Sequence, residues 1–404
     1  MKKPYYSLIP SGYKSSKIYS ILPVDGSGDI TFSRATGSSR VAKNGLIEST
    51  SGVPTIDWLN SDCPFLKCET QSTNNQSNSE DFTQSTWAKS NATVIGNDTI
   101  SPKGVESADK LIPNTANTFH HVQAVTSSFG NAFSPQTYSV FVKKAGYSEV
   151  ELIFADGSAP NTTYARVGFN LDTLQTLGTT IGSFDYQDYG NGWYRLAITG
   201  TPTNYNSNIL RVSVFNYGSS TFQGNGIDGL YIWGAQYEVT QPKATSYIPT
   251  LTGTSTRATD VLSPVNLDFN PVRGTFFLDV KANDVRSNSY IQLTGGLFDR
   301  VSFMFRTNNL VDITVGNGPT QPFFSFNYSH NNERFRVAIR WNNGNYSLFI
   351  NGTKVTDEDP NQRNNALERL NFESSTAHFD GNIYQISVYK EPLSDDELTK
   401  LTEL

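Results

Sequence analysis

The stretch GSGDITFSRATGSSRV, residues 26–41, sets two arginines among glycines and serines, and part of it returns in TSTRATDV, where Arg257-Ala258-Thr259 repeats Arg34-Ala35-Thr36. Such residues can cradle an anion. A phosphate loop, however, needs a glycine-rich turn between a strand and a helix N-terminus, with a lysine at its end, and neither copy has that context. Both copies lie near breaks in the sequence pattern. Arg34 and Arg257 are therefore expected at domain junctions, each guanidinium tying a crossing strand to backbone carbonyls or a carboxylate.

The chemistry of the remaining polar residues points away from catalysis. Four histidines occur, His120, His121, His330 and His378, and the adjacent pair would face opposite sides of a strand. No H-E-x-x-H, G-x-S-x-G or P-loop string is present. The carboxylate pairs Asp185/Asp188 and Asp395/Asp396 carry no sign of the two-carboxyl cleft a glycosidase needs. The expectation is a protein with no catalytic residues, not an enzyme. Sugars, by contrast, are bound by aromatic faces with amides bonding the hydroxyls. Tyr186, Tyr189 and Asn191 in FDYQDYGNGWYRL, and Trp341, Asn342 and Asn343 in RWNNGNY, have that pairing. Trp193 and Trp233 lie within strand patterns, where a core position is expected.

These residues must be positioned by strands. The 404 residues are 12% aromatic and 17% charged, a balance that favours packed β-structure over disorder. YSVFVKKA, VELIFA, ARVGFNL, GWYRLAITG, NILRVSVFN and DGLYIWGAQYE alternate with period two between turn residues, as do GTFFLDVKA, RVSFMFRT and RFRVAIRW further on. YSLFINGTKV is a hairpin about Asn351-Gly352. The one clear helix follows Ser394, with Glu397 completing a capping box. The fold class is all-β: tandem antiparallel β-sandwiches, a jelly roll over 78–250 and a second sandwich over 271–404, behind an irregular segment 1–75.

A net charge of −6 without a basic run argues against nucleic acid as a partner. No stretch approaches the roughly 20 apolar residues of a membrane span, and the N-terminus lacks the apolar core of a signal peptide. A soluble protein made in a cytoplasm is expected. Cys63 and Cys68 are too few for a disulfide framework, and are expected as reduced residues in a turn.

RVAIRWNNGNYSLFINGTKV, GNIYQISVYKEPLSDDELTKL and GTFFLDVKA resemble the laminin-G/concanavalin-A-like lectin sandwich. NSEDFTQSTWAKSNATV, GWYRLAITG and IWGAQYEVTQPKATSYIPT resemble the carbohydrate-binding-module-like jelly rolls of tailed-phage virion proteins, and the N-terminal segment resembles the front end of such proteins. The resemblance implies a structural phage protein, a head or tail fibre or decoration protein on the virion surface, made in the host bacterial cytoplasm and adhering to surface polysaccharide. A polysaccharide-degrading tailspike and a ligand-free virion spacer are the alternatives. Fibre proteins assemble with copies of themselves, a trimer before a dimer. The first 75 residues would dock on a capsid or tail protein, with Tyr5, Tyr6, Tyr13 and Tyr19 as anchors. No cofactor is required; lectin-like sandwiches often hold a structural calcium, for which Asp98, Asp109 and Asp228 are the expected ligands.

Overall fold

A computed structural model describes residues 2–126, 132–157, 162–204, 207–283, 288–296, 299–316, 322–372 and 378–404. Strands dominate, as the alternation predicts, and among the described residues there is one α-helix, Asp395–Thr402. The chain divides into two compact units, one of residues 38–49 and 72–257, the other of residues 1–37, 50–71 and 258–404.

The first unit is built on two six-stranded antiparallel sheets. One runs in the order Trp87–Ser90, His121–Thr126, Asn208–Phe215, Glu149–Asp156, Thr163–Asn170, Gln175–Ile181. The other runs Ala92–Ile100, Glu106–Pro113, Gly229–Val239, Gln136–Ala145, Tyr194–Gly200, Ser183–Asp188. Alternate residues of facing strands meet in a single core, with Val122, Leu152, Val167 and Val212 from one sheet and Tyr138, Val140, Leu196 and Ile198 from the other.

The second sheet is also buried on part of its outer face. A register shift between Ser139 and Phe141 sets Phe141 opposite Trp233, and Phe141 lies edge-on to Trp233, Tyr247 and Tyr189. Gly234, at φ +64°, makes that shift. A Cβ there would also stand 2.8 Å from the Phe141 ring, so both backbone and packing require glycine.

The second unit joins an eight-stranded and a six-stranded sheet around a core that includes Phe276, Leu278, Phe303, Ile313, Ile339 and Ile386. Leu398 and Leu401 of the helix pack on Phe277, Ala338 and Phe349 of the larger sheet. The capping box forms: the Ser394 hydroxyl accepts from the Glu397 backbone N–H and the Glu397 carboxylate accepts from that of Ser394. The Asn351-Gly352 turn joins strands Asn345–Ile350 and Thr353–Glu358.

Sequence alone suggests three consecutive segments with an irregular front. The structure divides the chain otherwise. Tyr6–Leu8 and Phe65–Cys68 each pair with Gly381–Tyr389 and extend the larger sheet of the second unit. Residues 38–49 belong to the first unit. Tyr6 is wholly buried and Tyr5 and Tyr13 pack against the same core, so these three are not free anchors; Tyr19 is exposed. Cys63 and Cys68 are both free thiols, the first exposed and the second buried.

Arg34 is a clasp within the second unit. Its five N–H groups meet five acceptors: Thr36 O, Thr55 Oγ1, Asp260 Oδ1 at 2.7 Å, Thr50 Oγ1 and Val53 O. The second Asp260 oxygen accepts from Glu69 N, and Thr36 Oγ1 accepts from Ala258 N of the repeated triplet. Arg34 is therefore committed to protein acceptors. Arg257, on the short strand Ser255–Arg257, is fully buried.

Two substitutions test these constraints by chemical denaturation. Arg34→Ala removes the buried guanidinium that pairs with Asp260 and should destabilise the second unit by about 3–5 kcal/mol. Gly234→Ala should cost about 1–3 kcal/mol through a strained φ and the clash with Phe141.

Candidate functional site

The hairpin between Ser183–Asp188 and Tyr194–Gly200 carries three successive residues in the left-handed region, Gly190 (φ +74°), Asn191 (+53°) and Gly192 (+78°). Trp193 N donates to Gly190 O and Gly190 N to Asp188 Oδ1, which holds the loop tight. Its residues form one wall of a cleft of about 290 Å³, completed by Leu46, Ile100, Ser101, Pro102 and Lys143. Tyr189 is half-buried against Phe141, while Asn191 is exposed. Trp193 is only 2% exposed and its Nε1 donates to Ile100 O at 3.1 Å, so it braces the wall rather than offering a full face.

Of the residues singled out by sequence, Tyr189 and Asn191 meet in this cleft. Tyr186 does not join them. It alternates onto the other face of its strand, beside Phe169, Phe184 and Tyr194. Lys143 was not singled out by sequence, because only the strand pairing places it over the hairpin. Its stem crosses Gly192, where a Cβ would lie 3.7 Å from Lys143 Cε.

The second expected set is dispersed. Trp341 lies in a strand, 2% exposed, with Nε1 donating to Asn270 O, and so presents no sugar platform. Asn342 and Asn343 are exposed. Asn342 lines a cleft of about 490 Å³ in the second unit with Lys2, Arg340, Asn345, Ser347, Asp357 and Glu397. Charges there close on one another: Arg340 pairs with Asp395 at 2.6 Å and donates to Ser347, Ser347 donates to Asp357, and Lys354 pairs with both aspartates.

Asp98, Asp109 and Asp228 are not brought together as a metal set, and no cluster of three His, Cys, Asp or Glu groups occurs among the described residues. Asp109 accepts from the backbone N–H groups of Phe82 and Asn97, and burial pushes its carboxyl up to about 6. Asp228 is half-buried and accepts from the Asn225 amide. His120 is buried with Nδ1 and Nε2 against the carbonyls of Asn91 and Phe222, a structural role. No helix among the described residues is long and apolar enough to cross a membrane.

No family model matches the chain, and no curated protein does. Solved structures do. The carbohydrate-binding module CBM40 of the Ruminococcus gnavus IT-sialidase, bound to alpha2,3 sialyllactose, matches at 18% identity over 33% of this chain and 84% of its own, with TM-score 0.28. Trypanosoma rangeli sialidase with sialic acid matches at 10% identity over 92% of this chain and 76% of its own, TM-score 0.25. Domains LG4-5 of the mouse laminin alpha1 chain match at 9% identity over 72% and 90%, TM-score 0.24. Sialidases among these matches correct the expectation that the chain is not an enzyme. At such TM-scores the likeness assigns no reaction, ligand or family to this chain.

Burial, then the Arg211 charge beside it, holds the His121 imidazole down at about 4. The folded state thus binds fewer protons than the unfolded one between pH 6.5 and 4. His121 therefore contributes stability that is full above pH 6.5 and fades as pH falls towards 4. Asp109, with its raised value, acts in the opposite sense, losing stability as pH rises from 3.8 to 6. The His121 part is isolated by comparing denaturation of the parent and His121→Gln at pH 7 and pH 4.5. The variant should lose less stability on acidification.

Proposed function

We propose that the first unit binds glycans through the cleft at Tyr189 and Asn191. The observation that carries this reading is the convergence of an accessible tyrosine edge and an exposed amide on a rigid left-handed loop. Tyr189 is fixed by Phe141 behind it, and its hydroxyl has no bonding partner among the described residues. The Asn191 side chain likewise donates to no described acceptor. Apolar atoms of Leu46, Ile100 and Pro102 supply the surface against which sugar C–H groups would pack. Preorganisation limits the entropy lost on binding.

The finer reading places this binding on a phage particle, where an adhesive fibre would hold host surface polysaccharide. Sequence resemblance alone supports that step. The cleft of the second unit is a weaker candidate, since its charged groups are already paired.

The test is binding of the purified full chain to an immobilised panel of bacterial polysaccharides. Tyr189→Ala should weaken retention by about tenfold, equivalent to about 1.4 kcal/mol, with the thermal midpoint little changed. Retention of every ligand by the variant, or no ligand for the parent, contradicts the reading.

A further inference from the structure

The chain carries a net charge of −6, yet two lysines without a carboxylate partner among the described residues stand on the sheet face beside the cleft. Strand pairing sets Lys110 opposite Tyr231 and Tyr231 opposite Lys143, so the three side chains form one row across three strands. All three are partly exposed. Each lysine overhangs an aromatic ring at the outer limit of a cation–π contact, Lys110 at 5.9 Å from Tyr231 and Lys143 at 6.0 Å from Trp193. Neither has a carboxylate within salt-bridge distance or any hydrogen-bond acceptor among the described residues. Their neighbour Lys144 shows the contrast, since it alternates to the other face and pairs with Asp172. Asp98, which bonds the Tyr231 hydroxyl, is the carboxylate that faces the row.

At the cleft end, further donors are unused. The backbone N–H groups of Asn191 and Gly192 meet no acceptor among the described residues, and neither does the Asn191 side-chain amide. Successive N–H groups of a left-handed turn point into a common concavity suited to an anion. Lys143 stands over that same loop. Cation, amide donors and aromatic edges therefore converge in the cleft, and the basic row leads away from it.

We infer that the glycan held by this unit is acidic: an anionic sugar residue sits in the cleft with its charged group between Lys143 and the Asn191–Gly192 backbone, and the polymer continues over Tyr231 to Lys110. This rests on the glycan-binding reading and specifies its ligand class. A carboxylate and a sulfate ester present the same chemistry to these donors.

Two matched pairs of polymers separate the sources. Polygalacturonate is compared with its methyl-esterified form, and dextran sulfate with dextran, by biolayer interferometry on the full chain. An anionic member should bind at least about tenfold tighter than its neutral partner. Lys143→Gln and Lys110→Gln should each lower that ratio about threefold to fivefold, as expected for removal of one largely exposed ion pair, and added salt should do the same. Which pair shows the preference names carboxylate or sulfate. Tyr189→Ala should weaken both members of a pair and leave the ratio unchanged. Equal binding of charged and neutral members, unmoved by Lys143→Gln, overturns the inference and leaves the glycan reading standing. Absence of binding to either anionic polymer also overturns it; binding of uncharged polysaccharides in the panel then decides the glycan reading separately.

Discussion

The first unit depends on how the two faces of one strand, Gln136–Ala145, are used. Tyr138, Val140 and Val142 face the core between the sheets. Alternation turns Phe141 outward, and the register shift in the neighbouring strand at Gly234 sets Trp233 opposite it, with Tyr247 and Tyr189 against the same ring. Burying a phenylalanine side chain contributes about 1.5–3 kcal/mol, and here the same ring also fixes a residue of the cleft. Lys143, two residues further along, falls on the outward face by the same alternation. Packing and candidate site are thus two consequences of one strand register.

The second unit is governed by a different constraint. Its short strands Tyr6–Leu8 and Phe65–Cys68 have little hydrophobic area of their own and are held against a distant partner, the strand Gly381–Tyr389. Arg34 adds a polar tie, since all five of its donors are satisfied within the unit and Asp260 is neutralised in burial. The repeated Arg-Ala-Thr triplet has its physical account there: the first copy supplies the clasp, and Ala258 of the second donates to Thr36 of the first.

Long alternating runs such as YSVFVKKA and NILRVSVFN were legible as strands because each has a wholly buried set of alternate residues, and the Asn351-Gly352 turn and Ser394 capping box were legible because their signals are local. The N-terminal strands were not. They are two to four residues long, too short to show a period. Trp341 was grouped with the amides that follow it in RWNNGNY, but the strand Arg334–Asn342 runs through the tryptophan and buries it. Tyr189 and Asn191 were visible as an aromatic beside an amide. Tyr186 was grouped with them because proximity in sequence hides which face of a strand a residue takes. The Lys110–Tyr231–Lys143 row left no sequence signal at all, since its members are more than thirty residues apart in the chain and only register brings them together.

The most direct test of glycan binding at the Tyr189 cleft is hydrogen–deuterium exchange of the full chain with and without a polysaccharide that it retains. Binding at the cleft should slow exchange of the unbonded Asn191 and Gly192 amides and of their neighbours in segments 188–193 and 100–104, with the second unit unaffected. Protection confined to the second unit, or none in the 188–193 loop at saturating ligand, would contradict the account.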